Sequence, residues 1–179
     1  MKAAAGHTGR SASAIRLTLA RADEAGAAAV AALRVAAARD LTARHGHGHW
    51  SGEPSERGVL ADARRGQLWV ARRGRGVAAT FLLATRKPWA IDPAYFTAVA
   101  RPLYLLNMAV RPDWQRQGVG RRCLDRAVEI ARGWPADAIR LDAYDAAAGA
   151  GEFYARCGFR EVGRVAYRGV PLIYYELLL

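Results

Sequence analysis

One junction constrains the fold of this chain more than any other: an apolar segment runs through a short turn into an amphipathic helix. Leu103 to Val110 has the composition of a buried strand, and Arg111-Pro112-Asp113 interrupts it. From about Gly118 to Arg132 the pattern changes to helical spacing. The apolar residues that share one face are Cys123, Leu124, Ala127, Val128 and Ala131. A strand followed closely by such a helix predicts a sheet with helices packed on it.

The other segments extend this pattern in a fixed order. Strands are predicted at residues 15–19, 68–71, 77–84, 103–110, 139–144, 161–167 and 172–178. Helices are predicted at about residues 23–38, 53–65, 118–132 and 149–157, the first with Asp23 as its N-cap. The order β-α-α-β-β-β-α-β-α-β-β predicts an α/β fold with a mixed sheet of six or seven strands and about four flanking helices.

Length and composition indicate one globular domain. The chain has 179 residues, of which 52% are hydrophobic and 24% charged, which suits a single ordinary domain with its own core. Residues 1–13 are small, polar and without pattern, so we expect a disordered leader followed by a single domain at 14–179. The leader lacks the apolar centre of a secretory signal and no segment suits a bilayer, so a cytoplasmic protein without membrane partners is expected.

The charge is strongly basic, with a net value of +11. Such a surface favours polyanions in general. The arginines are scattered, however, apart from short pairs such as Arg64-Arg65, and no run of five basic residues occurs. A dedicated nucleic-acid tail is therefore not supported, and we expect no nucleic-acid partner. The sequence leaves open whether the protein is a monomer or a homodimer.

Two kinds of side chain that often carry chemistry are sparse. Cys123 and Cys157 do not form the framework of a small secreted domain, and we expect two reduced thiols. No His lies beyond His49, which argues against a Cys–His pair. The segment His45 to His49 alternates His with Gly, which gives it little rigidity, and lacks a neighbouring Cys or carboxylate cluster. It predicts a surface loop and no metal site.

The start of the helix near Gly118 has the character of a phosphate site. A helix N-terminus presents unpaired N–H groups and partial positive charge to an anion. Gly118 and Gly120 allow close approach to the backbone, and Arg116 and Arg121 add charge at the rim. The dinucleotide fingerprint Gly-x-Gly-x-x-Gly is missing, so a Rossmann-type cofactor is not indicated.

Two motifs resemble a known family. The segment from Gln115 to Gly120, five residues after Val110, resembles the acetyl-CoA motif of the GNAT N-acetyltransferases. Phe153-Tyr154-Ala155-Arg156-Cys157-Gly158-Phe159 is similar to that family's Tyr-x-x-x-Gly-Phe element. The resemblance covers residues 15 to 179. It implies acetyl-CoA as co-substrate, an amine as acceptor, and a sheet splayed at the strand that ends at Val110.

The resemblance also implies roles for individual residues. The cofactor-binding residues would be Met108, Ala109, Val110, Gln115, Arg116, Gln117, Gly118, Val119, Gly120 and Arg121. Tyr154 would lie near the cofactor sulfur and protonate the departing thiolate. The sequence departs from the family at two positions: Ala147 replaces an Asn that often contacts pantetheine, and Tyr104 stands where some members carry a glutamate base.

Further candidates come from the strands. Asp142 and Tyr144 share one strand face and are candidates for the base, directly or through water. Asp142 has an alternative role as the partner of a nearby Arg. Asn107 is placed to orient a substrate or to satisfy a strand end, and Tyr104 is a fourth substrate candidate. The aromatic stretch from Lys87 to Pro102 would be either a functional flap, with aromatic side chains forming an acceptor wall, or packed local structure.

The sequence therefore predicts an enzyme that transfers the acetyl group of acetyl-CoA to a primary amine by direct attack in a ternary complex. The alternative is a non-catalytic module that binds or senses acyl-CoA. No acidic residue lies between Leu103 and Val110, which favours that alternative, whereas Tyr154 argues against it.

Overall fold

Seven strands form one mixed sheet in the computed structural model, which describes residues 16–179 apart from the side chain of Glu24. The strands are β1 (Thr18–Arg21), β2 (Gln67–Arg73), β3 (Gly76–Ala84), β4 (Pro102–Val110), β5 (Ala138–Tyr144), β6 (Arg160–Tyr167) and β7 (Val170–Leu178). Their order is β1-β2-β3-β4-β5-β7-β6. All pairs are antiparallel except β4 with β5. The predicted leader at 1–13 and residue Ile15 lie outside the described residues.

The helices are α1 (Ala27–His45), α2 (Glu56–Arg65), α3 (Val119–Gly133) and α4 (Gly151–Arg156). Asp23 caps a short 3₁₀ turn ahead of α1 by accepting from the N–H of Gly26 at 2.9 Å. α1 continues past Ala38 because its Ala, Leu and Arg residues favour helix, and it ends at Gly46, whose φ of 78° is left-handed. No helix among residues 16–179 is long and apolar enough to span a membrane.

The sheet opens between β4 and β5. These strands pair in parallel through Pro102–Tyr104 and Ala138–Arg140 and diverge beyond them. The predicted splay beside Val110 is confirmed. On its other edge β4 pairs with β3, and the register shifts from Leu82–Leu106 to Thr80–Ala109, which inserts one extra residue into β4. Asn107 lies in this bulge with φ of 51°, a left-handed conformation that Asn tolerates better than most residues.

Each face of the sheet has its own core. α3 and α4 cover one face, where Phe81, Leu124 and Ile139 are fully buried. α1 and α2 cover the other, around Val30 and Val59. Each large apolar side chain buried in this way stabilises the fold by about 1.5–3 kcal/mol relative to an exposed one.

The aromatic stretch before β4 is packed local structure rather than a flap. Ile91 and Phe96 are buried against Tyr104 and Tyr174 on the sheet. Glu176, which is buried, holds the stretch by accepting from the Thr97 hydroxyl at 2.6 Å. Of the two alternatives for this stretch, the structure favours packing, because its aromatic residues Trp89, Tyr95 and Phe96 do not line the cleft described below. Trp89 instead extends into solvent.

Candidate active site

A cleft of about 1340 Å³ opens where β4 and β5 diverge. One side consists of the end of β4, the turn before α3 and the first turn of α3. The opposite side consists of α1 and residues 45–54. The β5–α4 connection and α4 form its third side. The cleft thus joins the two predicted motifs, which are separated by more than 30 positions in the chain.

The turn before α3 is held by its own glutamines. Gln115 Nε2 donates to the Val110 carbonyl at 3.1 Å, and Gln117 Nε2 donates to the Asp113 carbonyl at 2.8 Å. Arg116 (φ 56°) and Gly118 (φ 78°) are both left-handed. The predicted cofactor-binding glutamines therefore shape the backbone with side chains that are already engaged. Prediction from the motif missed this bracing role.

The first turn of α3 leaves its N–H groups available. The first intrahelical bond runs from Arg122 N to Gly118 O at 3.1 Å, so the N–H groups of residues 119–121 have no partner within the helix. A Cβ added to Gly118 would meet nothing within 4 Å. A Cβ on Gly120 would lie 3.1 Å from the Phe153 ring. The backbone is therefore open to an anion at Gly118 and closely packed at Gly120.

The side chains around this turn differ in their availability. Arg116 is exposed at the cleft. Arg121 donates to Asp125 at 3.0 Å and to the Arg156 carbonyl at 3.2 Å, so its guanidinium is already engaged. Val119 is buried in the core and does not line the cleft.

The end of β4 presents an unpaired edge. Met108, Ala109 and Val110 line the cleft, and Ala109 and Val110 pair with β3 on their other edge. Because β5 has diverged, the backbone groups that point toward it have no strand partner. Such an edge suits an extended ligand that carries amides.

Tyr154 lies in α4 and lines the cleft, although it is only 8% exposed. Its ring packs against Phe153, Phe159 and Tyr175 with centroid distances of 5.3–6.0 Å. Burial raises the pKa of Tyr154 well above that of a free phenol, and the charge of Asp142 raises it further. The hydroxyl therefore stays protonated at neutral pH and remains a donor.

Asp142 and Tyr144 lie on β5 where the strand leaves β4. Burial raises the pKa of Asp142, and the main opposing effect is a hydrogen bond from its own backbone N–H. Among residues 16–179, Asp142 forms no ion pair with an Arg. The structure therefore does not support its alternative role as the partner of an Arg. Tyr144 lines the cleft, and its hydroxyl donates to the His49 carbonyl at 3.2 Å.

The His-Gly segment forms a wall of the cleft, which the sequence did not indicate. Trp50 packs edge-on against Tyr144 with ring centroids 6.1 Å apart, and its indole N–H donates to the Gly46 carbonyl at 3.1 Å. His45 belongs to α1, and it lines the cleft together with His49. Within the described part of the chain no three metal-ligating side chains come together.

The comparison with known families decides what kind of cleft this is. Residues 64–161, more than half of the chain, match the profile of the acetyltransferase (GNAT) domain. The chain belongs to the GNAT acetyltransferase family. Solved structures agree at the level of the fold. The ribosomal-protein-S18-alanine N-acetyltransferase of Escherichia coli is 20% identical, with 91% of this chain and 94% of that chain covered and a TM-score of 0.68.

Two further GNAT-like structures show the same fold. A GNAT family acetyltransferase of Streptococcus agalactiae is 17% identical, with 91% and 95% of the two chains covered and a TM-score of 0.73. The protein yncA of Salmonella typhimurium, solved with its cofactor acetyl-CoA, is 19% identical, with 91% and 94% covered and a TM-score of 0.63. Acetyl-CoA is the co-substrate of the GNAT family. The open backbone at Gly118 and the unpaired edge of β4 fit its pyrophosphate and its pantetheine amides.

Three of the substrate candidates lie differently from Tyr144, which lines the cleft of this GNAT protein. Tyr104 is 3% exposed and packs with Ile91 and Phe96 in the closed part of the sheet, so it is not a substrate residue. Asp142 is absent from the cleft lining and lies two residues before Tyr144 on the same strand face. The side-chain amide of Asn107 is already engaged, because it donates to Asp62 of α2 at 2.7 Å.

The cysteines of this GNAT protein are free thiols. Burial raises the pKa of Cys123 to about 12. Burial also raises the pKa of Cys157, against the lowering effect of Arg121. A thiolate nucleophile needs a lowered pKa, so neither cysteine has the surroundings of a nucleophile.

Proposed function

We propose that this protein transfers the acetyl group of acetyl-CoA to a primary amine by direct attack within a ternary complex. The proposal rests on one observation above all. A single cleft brings together the open turn before α3, the unpaired edge of β4 and the protonated hydroxyl of Tyr154. These are the parts needed to bind an acyl thioester and to receive its leaving group.

The residues proposed to hold acetyl-CoA act mainly through their backbone. Met108, Ala109 and Val110 would pair with the pantetheine arm along the open edge of β4. The N–H groups of residues 119–121 and the charge of Arg116 would meet the pyrophosphate. When bound, acetyl-CoA supplies an acetyl group activated as a thioester. An N–H of β4 near Ala109 or Val110 would polarise the thioester carbonyl.

Asp142 is the proposed base. The amine must lose a proton to attack the carbonyl carbon, and the C–N bond forms as the C–S bond breaks. A carboxylate whose pKa is raised by burial accepts a proton more readily than a solvated one. Because Asp142 is not part of the cleft lining, we propose that the proton reaches it through water.

Tyr154 is the proposed donor to the leaving group. The sulfur leaves with the electron pair of the C–S bond, and the Tyr154 hydroxyl donates a hydrogen bond to it. A free thiol has a pKa of about 8.5, and burial beside Tyr154 would raise that value as it raises those of the two cysteines. Protonation of the sulfur in the cleft is thereby favoured.

A screen of primary amines that follows the release of free thiol from acetyl-CoA tests the proposal. We expect release that depends on the amine and saturates with its concentration, with acetylated amine recovered in equal amount. If acetyl-CoA binds but releases thiol only slowly and equally with every amine, the protein is instead the acyl-CoA-binding module considered above.

A further inference from the structure

A second, smaller pocket adjoins the cleft between α1, α2 and the bulge of β4. Its volume is about 360 Å³. It shares Arg34, Pro54, Met108 and Ala109 with the wall of the cleft. A molecule that enters the cleft from the α1 side can therefore extend into this pocket without crossing the fold.

The charges of the pocket do not cancel. Arg34 and Arg65 are its cations and Asp62 its carboxylate. One oxygen of Asp62 already accepts from Arg34 at 2.6 Å and from Asn107 at 2.7 Å. Arg65 is exposed in the last turn of α2. The two arginines and the one carboxylate leave the pocket with one net positive charge. A ligand carboxylate would neutralise this charge, whereas a phosphate dianion would leave an excess negative charge.

Arg34 also carries unused donors. Its side chain is 8% exposed and it donates to Asp62 through Nη1. Its Nε and Nη2 are buried and have no hydrogen-bond partner among residues 16–179. Buried polar groups are almost always hydrogen-bonded. Arg34 lines the pocket and has two donors without a partner among residues 16–179, which favours an acceptor group bound beside its guanidinium. The planar edge of Arg matches the two oxygens of a carboxylate.

We propose that the pocket beside Arg34 binds a carboxylate carried by the acceptor amine. The inference rests on the proposed acetyl transfer and narrows its substrate class to amines that also bear a carboxylate. The net basic charge of the chain agrees with it, because a cationic protein attracts an anionic acceptor more readily than a polyamine.

Matched substrate pairs test the inference. The probes are ω-amino acids of increasing chain length, each compared with the ω-amino amide of the same length. We expect kcat/KM for at least one amino acid to exceed that of its amide about tenfold or more, with the preference confined to a narrow range of lengths. Equal use of both members at every length, or a preference for the amides, overturns the inference.

Three variants locate the effect. Arg34→Lys keeps a charge beside Asp62 but removes the guanidinium edge, and it should reduce the preference about tenfold. Arg65→Gln changes an exposed residue and should not disturb folding, and we expect it to reduce the preference for the amino acid over its amide about threefold. Arg64→Gln is the matched control, because Arg64 is an exposed neighbour on α2 that does not line the pocket. An equal effect of Arg64→Gln would mean that only general surface charge is being measured.

A binding measurement separates the inference from the proposed function. Calorimetry of the same pairs, with CoA present, should show tighter binding of the amino acid than of its amide, and weaker binding in Arg65→Gln. If no amine is acetylated but this difference is found, the proposed transfer fails and the carboxylate pocket stands. If amines are acetylated and neither rates nor binding distinguish the pairs, the carboxylate pocket is refuted.

Discussion

The two sides of the cleft are built in opposite ways. On the α3 side, the parts proposed to hold the cofactor are backbone groups of one continuous stretch from Met108 to Arg121, with side chains such as Gln115 and Gln117 bracing the turn. On the α1 side the wall consists of side chains from α1, residues 45–54 and the adjoining α2. The α3 side provides backbone groups in a fixed arrangement, whereas the α1 side provides charged and aromatic side chains.

This difference has a physical consequence for specificity. A site made of backbone groups keeps its shape when the neighbouring side chains are substituted. Such a site suits a co-substrate that a whole family shares. A side-chain site changes with each substitution, and it suits an acceptor that differs between members. On the α1 side, Arg44 pairs with Asp40 and Arg39 pairs with Glu53. Arg34 differs from them because its Nε and Nη2 are buried and have no hydrogen-bond partner among residues 16–179.

Tyr154→Phe should give the largest change, and it should affect turnover rather than cofactor binding. The variant keeps the packed ring and removes the hydroxyl that is proposed to donate to the leaving sulfur. We expect kcat to fall about ten- to a thousandfold, within the range of general acid catalysis, with acetyl-CoA affinity changed little. Tyr175→Phe, which removes a hydroxyl from the same aromatic cluster outside the cleft lining, is the control. Full turnover in Tyr154→Phe would reduce its role to packing.

Asp142→Asn should change the pH profile as well as the rate. A base works in its ionised form, so activity should be lost as pH falls through the pKa of Asp142, which burial has raised. We expect kcat/KM to fall about ten- to a hundredfold and the acid limb that belongs to Asp142 to disappear, leaving only the limb of the amine. The control is Asp137→Asn, whose carboxylate pairs with Arg101 at 2.7 Å and whose pKa that Arg lowers. An unchanged profile in Asp142→Asn excludes it as the base.

Metal removal should give the smallest effect. Although His45 and His49 line the cleft, we expect chelation of the untagged protein to leave acetyl transfer unchanged. Metal analysis before and after chelation, with the rate measured on the same sample, checks this. A stoichiometric ion whose removal abolishes activity would show that the α1 side also holds a metal.

The two sides also differ in how far the sequence predicts them. The sheet, the four helices and the turn before α3 followed from periodicity and glycine placement, whereas the splay beside Val110 came from the family resemblance that two local motifs carry. The turn is encoded within about ten residues, so its residues are adjacent in the chain as well as in space. The cleft contains most of the predicted cofactor residues for this reason.

The α1 side could not be predicted in the same way. Trp50 meets Tyr144 across 94 positions, and Arg34, Asp62 and Asn107 meet only when α1, α2 and β4 are assembled. Nothing local distinguishes Arg34 from the other arginines of a strongly basic chain. Tyr104 was named as a substrate candidate because it stands where some members of the family carry a glutamate base. The resemblance gives the position but not what covers it, and Ile91 and Phe96 cover it here.

The affinity of acetyl-CoA for Gly120→Leu tests the central claim most directly, namely that the turn before α3 and the edge of β4 hold the cofactor through close backbone approach. Calorimetry should show Kd raised at least tenfold, about 1.4 kcal/mol. Gly120 lines the cleft, and a Leu side chain there, with Phe153 only 3.1 Å from its Cβ, would occupy the space in which the cofactor approaches the backbone. Gly133→Ala, at an open position in the last turn of the same helix, should bind like the wild type. Unchanged affinity in a Gly120→Leu variant that still unfolds cooperatively would contradict the account.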